Sequence, residues 1–233
     1  MNFNDRRVVV TGGTGALGTA VVGALLGAGA VCHVPYMDEQ KIQHFPHRDD
    51  KRVKLVGGCD VANESAVGRL FDGVDDLWAS IHVAGSFAMS ALAETSKVAL
   101  MAMIDTNLVS CYLCCRAAVR ACVEHGAGGR IVNVAARQAL EPRSGAGMTA
   151  YTVSKSAVAA LTEALAQEVV GQGILVNAVA PSIMDTSQNR QAMPKANYDT
   201  WPKVEDVAAT ILFLASPENR VTRGSVVSAF GQS

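Results

Sequence analysis

Short apolar runs alternate with longer helical patterns along the whole chain. Seven runs are apolar on both faces and are predicted to be strands: Arg7–Thr11, Ala30–Pro35, Arg52–Val56, Trp78–Ala84, Arg130–Ala135, Ile174–Ala180 and Ser225–Ala229. Apolar positions at helical spacing separate them, most clearly at 63–71, 96–124, 151–170 and 204–215. This alternation predicts a parallel sheet with helices on both faces. We expect a single Rossmann-type, doubly wound α/β domain of about seven strands over residues 1–233.

The segment between the sixth strand and the last helix has a different character. Residues 181–203 are polar and interrupted by prolines, so we predict a substrate lid there. Its larger apolar residues are Met184, Met193, Tyr198 and Trp201. They are candidates for lining an apolar pocket, and packing against the domain is the alternative.

Composition narrows the partner classes. The chain is 49% apolar and 18% charged with a formal net charge of −1, which excludes a disordered chain. It gives no electrostatic reason to expect nucleic acid or an anionic membrane as a partner. No signal peptide and no apolar run long enough to span a bilayer are identified, so we expect a cytoplasmic protein.

All six cysteines lie in apolar segments: Cys32, Cys59, Cys111, Cys114, Cys115 and Cys122. Cys111 and Cys114 have CxxC spacing, but within a helical pattern and without a second pair or matching histidines. We interpret the cysteines as buried free thiols of a reducing compartment and predict no metal site.

A glycine-rich turn from Thr11 to Gly18 follows the first strand and precedes a helix and a second strand. In this context such a turn binds a dinucleotide, because glycines let the backbone approach a pyrophosphate and the helix start stabilises its charge. The candidate cofactor-binding residues of the turn are Gly12, Thr14, Gly15, Ala16, Leu17 and Gly18.

Tyr151 and Lys155 are four residues apart and therefore lie on one helix face. A phenol has a pKa near ~10, and a nearby ammonium group lowers that value and makes the tyrosine an acid/base catalyst. The alternative is a half-exposed tyrosine and a solvated lysine on an ordinary helix.

Together these residues resemble the short-chain dehydrogenase/reductase family over essentially the whole chain. The motifs that carry the resemblance are the glycine turn, Asp60, Ala84-Gly85, Asn107, Tyr151 with Lys155, and the stretch from Asn177 to Pro181. The resemblance implies hydride transfer between NAD or NADP and a small carbonyl or alcohol substrate. It also implies a homodimer or homotetramer formed through the long helices, where Leu108, Tyr112, Cys115, Val119 and Cys122 suggest a broad apolar face.

The resemblance also implies residue roles. Tyr151 would donate a proton to the substrate oxygen, Lys155 would lower the pKa of the tyrosine and bind the nicotinamide ribose, and Asn107 would hold a water that relays protons. Further cofactor contacts are expected at Tyr36, Asp60, Val61, Ala84, Gly85, Pro181 and Thr186. Alternatively, Asn107 is a satisfied polar group, Asp60 a helix cap and Thr186 a turn residue.

The catalytic pattern departs from the family at the usual serine, whose position falls on Ala136. Gln138, Ser144 or Thr149 could supply the missing hydrogen-bond donor, and we favour Ser144 or Thr149. Such a donor can lower a barrier by ~3 kcal/mol.

Two other departures concern the cofactor region. Tyr36 stands where an acid would favour NAD, so the sequence favours NADP without excluding NAD. His82 stands where the family more often has asparagine, and we expect a structural histidine bonded to backbone there.

Two alternative functions remain. Residues 183–201 and the glycine turn are also similar to dihydropteridine reductase, which suggests an enzyme of that type. A non-catalytic NAD(P)-binding sensor or scaffold is the alternative of another class.

Overall fold

A computed structural model describes residues 1–233 and contains one seven-stranded parallel sheet. The strand order is β3-β2-β1-β4-β5-β6-β7. The strands are β1 (Arg7–Thr11), β2 (Val31–Pro35), β3 (Val53–Val56), β4 (Leu77–His82), β5 (Gly129–Val134), β6 (Ile174–Pro181) and β7 (Val226–Ala229). All seven predicted strands are confirmed, with shifts of one or two residues at most of their ends.

Helices cover both faces of the sheet, as a doubly wound fold requires. They are α1 (Ala16–Gly27), α2 (Glu39–Gln43), α3 (Glu64–Asp72), α4 (Lys97–Ile104), α5 (Ser110–His125), α6 (Arg137–Leu140), α7 (Thr149–Glu168), α8 (Ser187–Ala192) and α9 (Val204–Ala215). One hydrophobic layer lies under α1 and α9, and the other lies under α3, α5 and α7. The short helices α2, α6 and α8 lie in segments where no helix was predicted.

One helical rod runs from Lys97 to His125 and contains a π-turn, Asp105–Val109, between α4 and α5. By length and apolarity this rod could cross a membrane, so the expectation that no such segment exists was wrong. In the fold the rod packs against β4, α3 and α7, which is the position of a core helix. A π-turn inside a helix frequently marks a functional site.

The broad outer face expected on this rod was only partly correct. Cys115 and Cys122 are buried against the sheet, whereas Tyr112 is exposed. Leu108 and Val119 are half-buried and pack against the core. The sequence did not show which positions of α5 face the sheet: the Cys115 thiol contacts Asn133 of β5, and the Cys122 thiol contacts the Leu77 carbonyl of β4.

The predicted lid segment is tied down at its base. Asp185 donates its backbone N–H to the Pro202 carbonyl at 2.9 Å, and Arg190 forms a two-pronged ion pair with Asp185 at 2.6 and 2.7 Å. Arg190 also lies over the Tyr198 ring, which contacts the buried Trp201. The two aromatic residues therefore pack on each other within the segment. Met184 packs against the core, as the alternative interpretation expected for it.

Two helical glycines, one in α1 and one in α3, test how closely the glycine turn packs against the start of α1. A Cβ on Gly18 would lie 2.6 Å from the Gly13 Cα and closer still to the Gly12 carbonyl, whereas nothing lies within 4 Å of a Cβ on Gly68 in α3. We expect Gly18→Ala to lower the free energy of unfolding by at least about 1–3 kcal/mol. Gly68→Ala, the matched control, should raise it by about 0.5–1 kcal/mol. Denaturant unfolding measures both, and equal effects would contradict this account.

Candidate active site

The candidate site lies where the strand order reverses, at the carboxyl ends of β1 and β4. Open α/β sheets bind ligands at such a switch point. Gly12 has a positive φ of 66°, and a Cβ there would lie 2.6 Å from the Ala84 backbone nitrogen. The glycine turn therefore rests directly on the end of β4, and no side chain fits between them.

The start of α1 has the features of an anion site. Gly15 occupies the N-cap position, no side chain caps the helix, and its first turn carries no acid. The first backbone N–H groups and the positive end of the helix dipole are thus available to a phosphate. Gly15 and Ala16 are exposed, while Leu17 and Gly18 are buried. The predicted turn therefore fits a dinucleotide through its backbone, with Leu17 serving the core.

Asn107 and Lys155 meet beside Gly85. A Cβ on Gly85 would lie 2.8 Å from Asn107 Oδ1 and 3.2 Å from Lys155 Nζ. Asn107 comes from the π-turn and Lys155 from α7, and both are buried. Lys155 Nζ donates to the Val134 carbonyl at 2.8 Å, and burial lowers the pKa of this lysine to about 8. Three predicted site residues are therefore adjacent.

The Asn107 amide is fixed by a network that includes an unpredicted residue. Its Oδ1 accepts from the Ser86 N–H at 2.7 Å, and its Nδ2 donates to the Ser86 carbonyl at 3.1 Å and to Ser154 Oγ at 2.9 Å. Ser154 in turn donates to the Tyr151 carbonyl. The sequence feature that could have indicated Ser154 is its polar side chain on the helix face of α7 that is buried in the fold. Asn107 is therefore a satisfied polar group beside Gly85 and Lys155, and its role in holding a water stays a prediction.

Tyr151 is half-buried, and its ring makes an edge-on contact with Phe87 at 4.9 Å between centroids. Burial raises the pKa of Tyr151 to about 12. The expectation that Lys155 lowers this pKa is therefore wrong for the protein alone. Desolvation of the phenol raises this pKa, and the Lys155 ammonium is held against the Val134 carbonyl.

The residues that could replace the missing serine are dispersed. Ala136 is buried in extended backbone just before α6. Ser144 is exposed and donates to the Glu141 carbonyl at 2.8 Å, Thr149 is exposed at the start of α7, and Gln138 is half-buried in α6. No structural contact selects one of them.

The predicted contacts on the adenosine side lie along the ends of β2 and β3. Tyr36 is half-buried and packs over Gly57, with its hydroxyl 3.5 Å from a Glu39 carboxylate oxygen. Asp60 is exposed and accepts from the Ala62 N–H at 2.9 Å. It is not the cap of α3, because Asn63 occupies that position. Val61, which follows Asp60, packs against the core.

On the other side of the site, Pro181 is the buried last residue of β6, and Thr186 caps α8 through its hydroxyl. Thr186 is thus a helix cap rather than the turn residue of the alternative interpretation, and its hydroxyl oxygen accepts from the Asn189 N–H at 3.1 Å.

Two cavities flank the sheet at opposite edges. The larger, about 810 Å³, lies at the amino-terminal edge near Arg6 and Trp78, away from the candidate site. The smaller, about 330 Å³, lies between Thr14 of the glycine turn and α2, and its other lining residues are Asp38, Gln40, Lys41 and His44.

All six cysteines are buried free thiols, as predicted. His82 is also buried, but its partners are side chains rather than the expected backbone groups: Ser80 Oγ at 2.7 Å and Asn133 Oδ1 at 2.8 Å. From the end of β4, the His82 side chain extends into the layer that also contains Cys111 and Cys115. The CxxC spacing of the sequence pairs Cys111 with Cys114, whereas the structure groups Cys111 with Cys115 and His82.

Comparison with known proteins places this geometry in a family. Residues 6–197 match the family described as short chain dehydrogenase, and the chain belongs to the short-chain dehydrogenase/reductases. It is an NAD(P)-dependent oxidoreductase of that family.

The relatives span nearly the whole chain. A short-chain type dehydrogenase/reductase of Picea abies is 30% identical, covering 98% of this chain and 92% of its own. Galactitol 2-dehydrogenase of Rhizobium johnstonii is 32% identical, with coverages of 97% and 94%. A tyrosine-to-phenylalanine variant of ElxO with NADPH bound has a TM-score of 0.88 at 26% identity, covering 97% and 98%.

The buried Lys155 ammonium gives a prediction for stability against pH. Its pKa is about 8 in the folded protein and 10.5 without burial, so between these values the unfolded chain binds more protons. The contribution of Lys155 to the free energy of unfolding should therefore rise with pH across that window, by at most about 3 kcal/mol. Lys155→Met should remove this rise, and Lys51→Met at an exposed site should keep it. Denaturant melts at pH 7.5 and pH 10 measure the difference, and parallel curves for wild type and Lys155→Met would refute the assignment.

Proposed function

We propose that the protein transfers hydride between NADP or NAD and a small carbonyl or alcohol substrate, with Tyr151 as the acid/base. The observation that carries this proposal is the meeting of Lys155 Nζ and Asn107 Oδ1 at Gly85, beside the Gly12 turn. The nicotinamide supplies or accepts the hydride when it is bound.

The protonation states of the chain's own groups suit the reductive direction. With a pKa raised to about 12, Tyr151 carries its proton at neutral pH and can donate it to a substrate oxygen. Lys155, with its pKa lowered to about 8, exchanges protons readily near neutrality. We propose that Lys155 restores the proton to Tyr151 with the help of a water held by Asn107. Ser154 would position the Asn107 amide for this role.

The donor that replaces the serine at Ala136 stays a prediction. Ser144 remains our candidate, with Thr149 as the other. The Ser144 hydroxyl donates to the Glu141 carbonyl, so serving a substrate requires it to rotate away from that carbonyl.

The cavity beside Thr14 supports the preference for NADP. Lys41 and His44 bring cationic or hydrogen-bonding nitrogens to a space that also touches the glycine turn. The Asp38 carboxylate in the same wall accepts from the Gln40 N–H as the cap of α2, which occupies one of its oxygens. We assign this cavity to the ribose 2′-phosphate.

Three further properties remain proposals. Residues 181–203 would act as a lid whose hinge is the isolated backbone β-bridge between Asp185 and Lys203. A homodimer or homotetramer would form through the rod from Lys97 to His125, where Val98, Met101 and Tyr112 are exposed. Cytoplasmic location is supported by the six free thiols.

Tyr151→Phe tests the catalytic proposal. We expect kcat/KM on a panel of aldehydes and ketones to fall at least about 100-fold, because the proton donor is lost. NADPH affinity, measured by fluorescence, should change less than about twofold, since the ring remains. Tyr112→Phe is the matched control and should keep its activity. Turnover unaffected by Tyr151→Phe would refute the mechanism, and NADPH binding without turnover of any substrate would favour the sensor.

Lys41→Ala tests the cofactor assignment. Loss of a charge-assisted contact to the 2′-phosphate should raise KM for NADPH by about tenfold or more while leaving KM for NADH unchanged. Lys54→Ala, which removes an exposed lysine of β3 outside the cavity, should alter neither. Equal losses with both cofactors would show that Lys41 does not read the 2′-phosphate.

A further inference from the structure

Three soft ligand atoms converge behind the candidate site. His82 lies at the end of β4, and Cys111 and Cys115 lie one turn apart on the inner face of α5. All three are buried, and their ligand atoms lie within 4.8 Å of one another. We refer to His82, Cys111 and Cys115 as the thiol–imidazole cluster.

The spacing of the cluster matches that of a tetrahedral metal site. Zinc binds imidazole nitrogen at about 2.0–2.1 Å and thiolate sulfur at about 2.3 Å, which separates nitrogen from sulfur by about 3.5 Å in a tetrahedron. His82 Nδ1 lies 3.5 Å from Cys115 Sγ and 4.0 Å from Cys111 Sγ. An ion could be accommodated with shifts of a few tenths of an ångström.

The groups around His82 can fix the ring for a metal. His82 Nε2 lies 2.7 Å from Ser80 Oγ, which can accept a hydrogen bond from a protonated Nε2 and leave Nδ1 free as a ligand. Metal-binding histidines usually have such a partner on the second ring nitrogen.

A fourth potential ligand atom, an oxygen, also faces the cluster. Asn133 Oδ1 lies 2.8 Å from His82 Nδ1 and 3.4 Å from Cys115 Sγ. The Asn133 amide is held in this orientation because its Nδ2 donates to Thr162 Oγ1, which donates to the Val158 carbonyl.

Charge balance permits an ion at this depth. A divalent metal replaces the two thiol protons, which are released, and the ring proton moves from Nδ1 to Nε2. Two thiolates and a neutral imidazole then form a neutral complex, which avoids burial of an unpaired charge.

We propose that the thiol–imidazole cluster, completed by Asn133 Oδ1, is a buried binding site for a divalent metal ion of the zinc class. Thiolate and imidazole ligands in a tetrahedral arrangement select zinc over magnesium or calcium. The ion would link β4 to α5 beneath Asn107, which lies on the same rod one turn before Cys111. This proposal stands independently of the catalytic one.

Cobalt(II) tests the proposal without any activity measurement. The reduced full-length protein is incubated anaerobically with Co²⁺, both in its native state and during refolding, and its absorption spectrum is recorded. We expect one equivalent per chain, thiolate-to-cobalt charge-transfer bands and the intense visible bands of four-coordinate cobalt. Zn²⁺ should then displace the cobalt and raise Tm.

Variants separate the cluster from adventitious thiol binding. His82→Asn, Cys111→Ala and Cys115→Ala should each weaken cobalt affinity by at least about tenfold and abolish the rise in Tm with zinc. Cys114→Ala removes a buried thiol from the same helix outside the cluster and should leave both unchanged.

Two results would overturn the assignment. One is the absence of charge-transfer bands after both loading procedures, which would make the cluster a hydrogen-bonded part of the core. The other is unchanged cobalt binding in His82→Asn, which keeps a polar side chain beside Ser80 and Asn133 but removes the imidazole ligand.

Discussion

The close approach of the Gly12 turn to the end of β4 is the constraint on which the site depends. β1 and β4 are parallel neighbours, with Thr11 in register with His82, so the chain leaving β1 must cross directly beside the chain leaving β4. A Cβ at position 12 would lie within 3 Å of both Ala84 and Val83. Because nothing fills this crossing, the start of α1 and Gly85 share one edge of the sheet, and a cofactor can reach both.

The second requirement is to hold polar groups in a buried layer without leaving them unsatisfied. An unpaired buried amide or ammonium is costly, and the fold answers with backbone carbonyls: Val134 for Lys155 and Ser86 for Asn107. The π-turn supports this arrangement, since it turns Asn107 inward within an otherwise apolar rod. The same bonds that satisfy these groups also fix their positions in the site.

Sequence patterns predicted the fold well because strand burial on two faces leaves a continuous apolar signal. β1 and α9 were predicted at their observed bounds, and the glycine turn, Asn107 and Lys155 come together as their order suggested. Properties set by contacts between distant segments were not predictable. Tyr151 has a raised pKa because burial beside Phe87, which is 64 residues away in sequence, removes its solvent. His82 bonds to Asn133 across neighbouring strands, and no local pattern records that pairing.

Cys111 lies between two buried polar groups, the thiol–imidazole cluster and the pair of Asn107 and Lys155. It lies one turn after Asn107 on the rod and contributes a charge that raises the pKa of Lys155, against the larger lowering by burial. A change in the ionisation of Cys111 therefore changes the proton affinity of Lys155 without any movement of the backbone. Cys111 belongs equally to the thiol–imidazole cluster with His82 and Cys115. A divalent ion bound there would hold Cys111 as a thiolate within a neutral complex, one turn from Asn107 on the rod.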